Sequence, residues 1–475
     1  MNAMAKAGLQ PGDVVDIHLP NSPRFTIGFH AAAAAGALCT LSNPLYTAVE
    51  LSHQLKDSGA KFVLTLDALL PVVKEAAELA GGVKDIWVLG RANDPTSAAL
   101  GDAAGSKFVQ VHPDLRGDDM AKRPVALPYS SGTSGKPKGV VLSHTNVAAN
   151  IAQISEHPLA NLDMPPGESV LSLLPSFHIY GFTVCVCSAL RQQARVVSMP
   201  KFDPEQFLKV MAGEGIAWAP LVPPILLFMA KHPAAAAVKL PKLRTIFSGA
   251  APLDSELVKA VEARFGHTKV YQGYGMSELS PVSHFQSPKM KPGIVVPGSV
   301  GWLAPNTEAR LVDPTTGTDA APGEQGELWV RGPQVMLEYL HNPTATAETL
   351  VADGWLRTGD LASVDSKHRW FIHERLKELI KVKGFQVAPA ELEATLLDNP
   401  QVADCAVVGK KHDARGEIPV AFIVKGDPGL SEEAVHEWMS ARLAEYKQLG
   451  EIRFIEAIPK SAAGKLLRRE LRALL

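Results

Sequence analysis

Cysteine is scarce in this sequence, with four residues in a chain of 475. None of the four lies in a zinc-ligand spacing or in the dense framework of a disulfide-stabilised secreted domain, which argues against both classes. Cys185 and Cys187 alternate with Val184 and Val186, which indicates strand or core positions rather than a redox or metal site. We therefore expect a protein of a reducing compartment.

Long runs of one charge sign and long apolar runs are also missing. The 47 Lys and Arg residues nearly balance the 49 Asp and Glu residues, which argues against a nucleic-acid partner. The most apolar stretch, residues 217–230, contains three prolines and is too short to cross a bilayer as a helix. Neither a secretory signal nor a peroxisomal Ser-Lys-Leu ending is seen, so we expect a cytoplasmic protein without a transmembrane segment.

The chain is long enough for two or three domains, and 46% of its residues are hydrophobic. Its first two-thirds alternates short β-branched runs with alanine-rich helical stretches, which predicts an α/β fold. From Glu374 onward, a charged segment leads into a compact pattern of helix, strand, strand and helix. We predict a large domain of several subdomains over residues 1–374 and a small, mobile α+β domain over residues 375–475.

Local signals predict where two helices begin. Asp203 precedes Pro204 and apolar residues at helical spacing, so it is expected to cap a helix that runs to about Gly213. Ser431 precedes a second set of apolar residues that starts at Val435, and its hydroxyl is expected to cap that helix.

The strongest chemical signal is the stretch YSSGTSGKPKG at residues 129–139. Glycines let backbone N–H groups approach phosphate oxygens, while hydroxyls add donors and lysines add positive charge. The stretch is not a Walker A loop, because Pro137 stands where that pattern requires Ser or Thr. A flexible surface turn is the alternative. The residues predicted to bind phosphate are Ser130, Ser131, Gly132, Thr133, Ser134, Gly135, Lys136 and Lys138.

Three further segments carry groups suited to a nucleotide. QGYGMSE at 272–278 combines an aromatic ring, a hydroxyl and a carboxylate, and GWLRTGD at 354–360 places Asp360 after a tight glycine turn. A carboxylate there can accept hydrogen bonds from two ribose hydroxyls. SGAAP at 248–252 follows an apolar strand, and its small residues let a ligand approach the backbone. The segments 272–278 and 354–360, each taken alone, are also compatible with an ordinary turn.

Together these segments resemble the acyl-adenylate-forming superfamily, and in particular its 4-coumarate:CoA ligase-like branch. The likeness covers essentially the whole chain, although members usually carry several dozen more residues before segment 8–12, so the sequence resembles an N-terminally shortened member. The resemblance implies that ATP activates a carboxylic acid as an acyl-adenylate and that the acyl group then passes to coenzyme A. ATP, Mg²⁺ and coenzyme A are thus the expected cofactors, with a small carboxylic acid as substrate.

The resemblance also implies roles for the nucleotide-binding residues. Tyr274 would pack on adenine, Ser277 would reach the α-phosphate and Glu278 would hold Mg²⁺, in a segment that also includes Gln272 and Gly273. A metal and lysines suit this chemistry, because two anions react as pyrophosphate leaves. Asp360 and Arg375 would bind the ribose, and Lys465, in the glycine-flanked segment PKSAAGK, would be the lysine of adenylation.

The acyl group would lie between two walls in this family. One wall is the segment FHIYG at 177–181, with His178 near the carboxylate and Tyr180 near the acyl tail. A histidine among apolar residues is more often a core residue, but this context favours a pocket role. The residues expected on the other wall and in the same pocket are Ser248, Gly249, Ala250 and Phe285.

The charged segment ERLKELIKVKGFQ at 374–386 would hold the hinge and a mobile surface of the small domain. By resemblance, Lys377, Lys381 and Gln386 line the adenylate and thioester site, while Lys383, Gly384 and the distant Lys201 contact coenzyme A. A solvated charged helix is the alternative. Glu374 replaces the aspartate that the family usually carries at the hinge.

The acyl substrate stays open at this stage. Phe247 stands where coumarate-type enzymes tend to carry a basic residue, and Val184 stands where they carry serine, so the pocket is more apolar than theirs. Hydroxycinnamates, cinnamates without hydroxyls and medium- or long-chain fatty acids are all candidates. Loading of a carrier protein and a non-catalytic nucleotide-binding relic are the remaining alternatives.

Overall fold

A computed structural model describes residues 2–90, 118–130, 137–158, 160–249, 253, 255–290, 296, 298–382, 385–412, 415–443, 445–461 and 464–475. For Asn2, Ala3, Asp118, Phe385, Gln386 and Tyr446 it describes the backbone alone. No helix in these ranges is both long and apolar enough to pass through a membrane.

Two seven-stranded sheets occupy most of the chain up to residue 340. In chain order their strands are β1 (Val14–Ile17), β2 (Leu38–Leu41), β3 (Ala60–Thr65), β4 (Asp85–Val88), β5 (Pro124–Ser130), β6 (Lys138–Ser143), β7 (Ser169–Ser172), β8 (Arg195–Ser198), β9 (Ile216–Leu221), β10 (Thr245–Ser248), β11 (Lys269–Gly275), β12 (Val282–Phe285), β13 (Trp302–Leu303) and β16 (Glu338–Tyr339). The first sheet has the order β16-β6-β5-β2-β1-β3-β4 and the second has the order β13-β12-β11-β10-β9-β7-β8.

Both sheets are mainly parallel and end in antiparallel strands. In the first, β5 pairs antiparallel with β6, and in the second, β11 pairs antiparallel with β12. α-Helices connect many of the parallel strands, because neighbouring parallel strands need a crossover connection. The described α-helices between residues 2 and 349 are Asn2–Lys6, Pro23–Ala34, Ala48–Ser58, Leu70–Ala80, His144–Ser155, Ser188–Arg191, Pro204–Gly213, Pro223–Lys231, Pro233–Ala236, Ser255–Phe265 and Pro343–Thr349.

Two smaller sheets complete the fold. The third joins β14 (Glu308–Val312), β15 (Gly326–Arg331), β17 (Leu350–Val351), β18 (Trp355–Val364) and β19 (Trp370–Arg375). The fourth joins β20 (Ile380–Val382), β21 (Phe385–Val387), β22 (Val402–His412), β23 (Gly416–Lys425) and β24 (Glu451–Phe454), with the helices Pro389–Leu397, Glu432–Ser440 and Arg468–Ala473.

The change from the third to the fourth sheet lies between Arg375 and Ile380, beside the predicted domain boundary at 374/375. The boundary itself stays a prediction. The fold class, α/β with a large N-terminal part and a smaller α+β C-terminal part, is confirmed.

Local chemistry explains both predicted helix starts. Asp203 accepts a hydrogen bond from the Gln206 amide at 2.9 Å and caps Pro204–Gly213. Ser431 accepts from the Ala434 amide at 3.2 Å and caps Glu432–Ser440.

The prediction that Cys185 and Cys187 occupy strand or core positions is confirmed for the core. Both are buried core residues, but they lie in a π-helix, Gly181–Cys187, and not in a strand. The whole π-helix is buried, so apolar residues face the core all round and their spacing carries no helical period.

Candidate active site

The carboxyl ends of β10 and β11 form one edge of the candidate site. Ligands of α/β proteins bind at this end of parallel strands, and Gly249 and Gly273 lie there. A Cβ on Gly273 would approach the Phe247 ring to 2.7 Å, and one on Gly275 would come within 2.0 Å of the Pro281 carbonyl oxygen. Gly275 is therefore required by the close backbone approach where β11 meets β12, and Gly273 leaves room for the Phe247 ring.

Tyr274, Asp360 and Arg375 meet at this edge. The Tyr274 hydroxyl donates to Asp360 Oδ2 at 2.6 Å, and Arg375 Nε lies 3.2 Å from Asp360 Oδ1. Asp360 and Arg375 face each other directly across β18 and β19. Burial raises the pKa of Asp360, whereas the charge of Arg375 and the hydrogen bond from Tyr274 act in the opposite direction. The three predicted nucleotide ligands thus form one connected group.

Glu278 lies next to this group in the short turn Ser277–Leu279, and both Ser277 and Glu278 are buried. Its carboxylate accepts a hydrogen bond from the Tyr339 hydroxyl at 2.7 Å. Lys138 Nζ lies 4.6 Å from the centre of the Tyr339 ring, a distance at which a cation is attracted to the aromatic face. Tyr339 thus connects the predicted phosphate-binding lysine with the predicted metal ligand.

Lys465 reaches the same group from the C-terminal part of the chain. A Cβ on Gly464 would lie 3.3 Å from Val222 Cγ2, so the loop that carries Lys465 contacts the segment after β9. Burial and the charge of Arg375 lower the pKa of Lys465, while Glu378, Asp360 and Glu278 act to raise it. The lysine is therefore within electrostatic reach of three carboxylates and one guanidinium.

His178 and Tyr180 form the opposite wall. Burial, with the charge of Lys465, lowers the pKa of His178 to about 4, so the imidazole is neutral at physiological pH. Its Nδ1 accepts from the Tyr180 amide at 3.3 Å, which assigns the proton to Nε2. The Tyr180 hydroxyl donates to the Phe247 carbonyl at 3.4 Å, and Gly249 packs against the Tyr180 ring.

Sequence reasoning missed Asn21, which fixes this wall from the first sheet. Its amide nitrogen lies within hydrogen-bond distance of the carbonyls of Ser172, Leu173 and Leu174, and its Oδ1 accepts from the Ser176 amide at 2.7 Å. Asn21 thus holds the segment 172–176, which leads directly to His178. Asn21 stands in no recognised motif, and neither does Tyr339, so only the folded structure reveals them.

A tightly packed apolar cluster lies behind Tyr180. The rings of Trp218 and Phe247 stack with centroids 5.7 Å apart, and Val184 and Phe285 belong to the same buried cluster. Phe285 pairs with Gly273 across β11 and β12 and is 2% exposed. Ser248 is buried at the end of β10.

The other residues predicted for the site lie outside the connected group of Tyr274, Asp360 and Arg375. Lys201, Lys377 and Lys381 are exposed, and Lys381 pairs with the backbone of Gln386 across β20 and β21. Gln272 is buried, and its backbone amide donates to Oε1 of the Gln286 side chain at 2.8 Å. Ser130 and Lys138 face each other across β5 and β6, at the two ends of the glycine-rich sequence 131–137. Ser131, Gly132, Thr133, Ser134, Gly135, Lys136, Ala250, Lys383, Gly384 and the Gln386 side chain lie outside the described residues.

The fold and this site define a class: an α/β protein with a smaller C-terminal part that delivers a lysine to a buried cluster of acidic, basic and aromatic groups. Residues 2–340 match the family AMP-binding enzyme, and residues 391–465 match the AMP-binding enzyme C-terminal domain. The chain belongs to the AMP-binding enzyme family.

Named relatives and solved structures agree with this family assignment. A 4-coumarate–CoA ligase of Vanilla planifolia is 40% identical over 99% of this chain and 86% of its own length. 4-Coumarate–CoA ligase 5 of Oryza sativa subsp. japonica is 42% identical over 99% of this chain and 86% of its own. The ATP-bound structure of MatB from Rhodopseudomonas palustris has a TM-score of 0.87 and 29% identity over 100% of this chain and 90% of that one, and its apo structure has a TM-score of 0.75. The protein is an ATP-dependent, AMP-forming acyl-CoA ligase whose substrates include ATP and coenzyme A.

Proposed function

We propose that the group Tyr274, Glu278, Asp360, Arg375 and Lys465 binds ATP and forms the acyl-adenylate. The carboxylate of the acid attacks the α-phosphorus, the bond to the β-phosphate breaks and pyrophosphate leaves. The observation that carries the proposal is that Lys465 comes within electrostatic reach of Arg375, Asp360 and Glu278 although it lies far from them in sequence. A cation there stabilises the negative charge that builds up on the α-phosphate.

Asp360 and Arg375 would hold the ribose, and Tyr274 would support the adenine. The buried Asp360 carboxylate has fixed partners on both oxygens, so it is oriented before the nucleotide arrives. Ser277 and the hydroxyl-rich sequence from Ser130 to Lys138 would contact the phosphates. These assignments agree with the resemblance and with the way the described residues cluster.

Mg²⁺ fits the donor set next to Glu278. Mg²⁺ is usually held by one or two carboxylates together with substrate phosphates, and no cluster of three or more His, Cys, Asp or Glu side chains is found among the described residues. Glu278 would supply the protein carboxylate, which Tyr339 already orients by a 2.7 Å hydrogen bond. When bound, the ion would neutralise the charge of the departing pyrophosphate.

The second half-reaction would use a second orientation of residues 375–475. In it, Lys201, Lys377, Lys381, Lys383, Gly384 and Gln386 would line the thioester site and the coenzyme A channel. The thiol would attack the acyl carbon, lose its proton and displace AMP. The exposure of Lys377 and Lys381, and the higher TM-score against ATP-bound than against apo MatB, support a present orientation suited to adenylation.

The acyl substrate is proposed to be an aromatic propenoic acid of the 4-coumarate class. The support is the 40–42% identity to 4-coumarate–CoA ligases over nearly the whole chain. His178, with its proton on Nε2, would donate to the substrate carboxylate. Tyr180, Gly249 and the cluster behind them would enclose the ring.

Fatty acids are the second candidate, favoured by one observation. Val184, Trp218 and Phe247 are each at most 1% exposed and form a buried apolar cluster behind Tyr180, so the wall that backs the proposed acyl site is mainly apolar. A polar ring substituent would lose its hydrogen bonds to water and find few hydrogen-bond partners at this wall.

ATP–pyrophosphate exchange measured without coenzyme A tests both candidates. The panel comprises 4-coumarate, ferulate, cinnamate and fatty acids from C6 to C16. Exchange that depends on the aromatic acids supports the first candidate, and exchange that rises with chain length supports the second. A folded protein that exchanges with no acid would contradict the proposed function and favour a non-catalytic relic.

Val184→Ser is expected to raise the ratio of kcat/KM for 4-coumarate over cinnamate by about tenfold, because a hydroxyl at this wall can pair with the ring hydroxyl. The matched control is Val186→Ser, which makes the same change in the same π-helix but outside the cluster of Val184, Trp218 and Phe247. An equal ratio in both variants would mean that Val184 does not face the ring.

His178 gives a pH prediction. Its pKa is lowered from 6.5 to about 4, so the neutral form persists as pH falls and is lost only as pH approaches 4. The ratio of wild-type to His178→Asn exchange rates is therefore expected to stay constant from pH 8 to about pH 5. A ratio that falls with a midpoint near 6.5 would show that the imidazole is solvated instead.

A further inference from the structure

The side chain of Arg468 lies in a buried ionic cluster three residues after Lys465. Its Nε donates to Glu378 at 2.6 Å, and its Nη2 donates to Glu393 at 3.0 Å. Its Nη1 also contacts Glu393 and donates to the Val407 carbonyl at 3.1 Å. The Arg468 side chain is 10% exposed, and those of Glu378 and Glu393 are 14% and 13% exposed, so the cluster is largely shielded from water.

The partners of Arg468 come from three different elements. Glu378 belongs to the linker between β19 and β20, Glu393 to the helix Pro389–Leu397, and Val407 to β22. Glu374, at the end of β19, is close enough that the charge of Arg468 opposes the rise in its pKa that burial causes. One guanidinium therefore ties the start of the last helix to the interdomain linker and to the fourth sheet.

Only two residues separate Arg468 from Lys465, and the loop between them is tightly bonded. The Leu467 amide donates to the Pro459 carbonyl at 2.9 Å, and the Lys465 amide donates to the Ser461 hydroxyl at 3.1 Å. A displacement of Arg468 would thus be transmitted directly to Lys465. Glu378, which Arg468 holds, also acts electrostatically on Lys465.

We propose that Arg468 is a positioning residue for the adenylation step. It holds the Lys465 loop at a fixed distance from the linker, so that the ammonium group meets Asp360 and Glu278 when the small domain is in its present orientation. Arg468 itself touches neither nucleotide nor acid. The inference rests on the proposed function of Lys465.

The test compares Arg468→Lys with Arg472→Lys in the full-length protein. Arg472 lies on the exposed side of the same helix and receives the same substitution. Lysine at 468 keeps the positive charge but cannot bond Glu378, Glu393 and Val407 together. Two rates are measured: ATP–pyrophosphate exchange, and thioester formation from supplied acyl-adenylate and coenzyme A.

Arg468→Lys is expected to lower the exchange rate by about 10- to 100-fold, as a displacement near 1 Å does, and thioester formation by less than about threefold. Arg472→Lys should change neither rate. Glu378→Gln, which removes only the linker partner, should show the same selective loss at about 3- to 10-fold. Equal losses in both half-reactions would mean that Arg468 merely stabilises the domain, and would overturn the proposal.

A double-mutant cycle distinguishes positioning of Lys465 by Arg468 from an effect of Arg468 that is independent of Lys465. In a Lys465→Ala background, Arg468→Lys should lower exchange by less than about twofold further, because its effect passes through the lysine. The same loss in both backgrounds would overturn the positioning role alone. Absence of acid-dependent exchange in the folded wild type would overturn the proposed function as well.

Discussion

Lys465→Ala is expected to lower acyl-adenylate formation by about 100- to 1,000-fold, as loss of a preorganised charge at a reacting centre does. The ammonium group lies within electrostatic reach of Asp360, the proposed ribose ligand, and of Glu278, beside which Mg²⁺ and the phosphates of ATP are proposed to bind. ATP–pyrophosphate exchange with saturating acid measures this step directly.

The same variant should form thioester from supplied acyl-adenylate at a rate within about threefold of wild type, because Lys465 is proposed to leave the site in the second orientation. Lys460→Ala is the matched control, since Lys460 lies in the same loop but pairs with Asp404 at 2.5 Å. Unchanged exchange in Lys465→Ala, or equal loss in the control, would refute the assignment.

Asp360→Asn is expected to raise KM for ATP by about 100-fold, because a neutral amide accepts weaker hydrogen bonds from the ribose and loses the charge that pairs with Arg375. The asparagine keeps the shape of the aspartate, so β18 and β19 should stay paired. Steady-state kinetics with ATP varied at saturating acid measure the effect.

Unlike Lys465→Ala, this variant should also weaken binding of the supplied acyl-adenylate, because the ribose is present in both half-reactions. Asp353→Asn is the control: Asp353 is exposed just before β18, and its φ of 61° suits asparagine. An Asp360→Asn enzyme with normal KM for ATP and normal adenylate binding would place the ribose elsewhere.

The elements predicted from sequence are those whose cause is local. Asp203 and Ser431 cap their helices through amides three residues away, which a short window of sequence contains. The π-helix 181–187 was missed, because a segment buried on all sides shows no amphipathic period.

The same distinction between local and long-range causes applies to the residues of the site. The three-residue group Tyr274, Asp360 and Arg375 was predicted from its motifs, and its members meet. Tyr339 and Asn21 were not, because their contacts depend on long-range geometry: Tyr339 pairs with Val140 across β16 and β6, and Asn21 reaches from one sheet to the next. No motif surrounds either residue, so the sequence has no local signal for them.

Detection of the enzyme-bound intermediate tests the central proposal most directly. The protein is incubated with ATP, Mg²⁺ and 4-coumarate without coenzyme A, quenched and examined by mass spectrometry. We expect one acyl-adenylate and one pyrophosphate per active site, and complete conversion to acyl-CoA and AMP when coenzyme A is added. Pyrophosphate that appears only after coenzyme A is added, with no adenylate before it, would contradict a two-step reaction at this site.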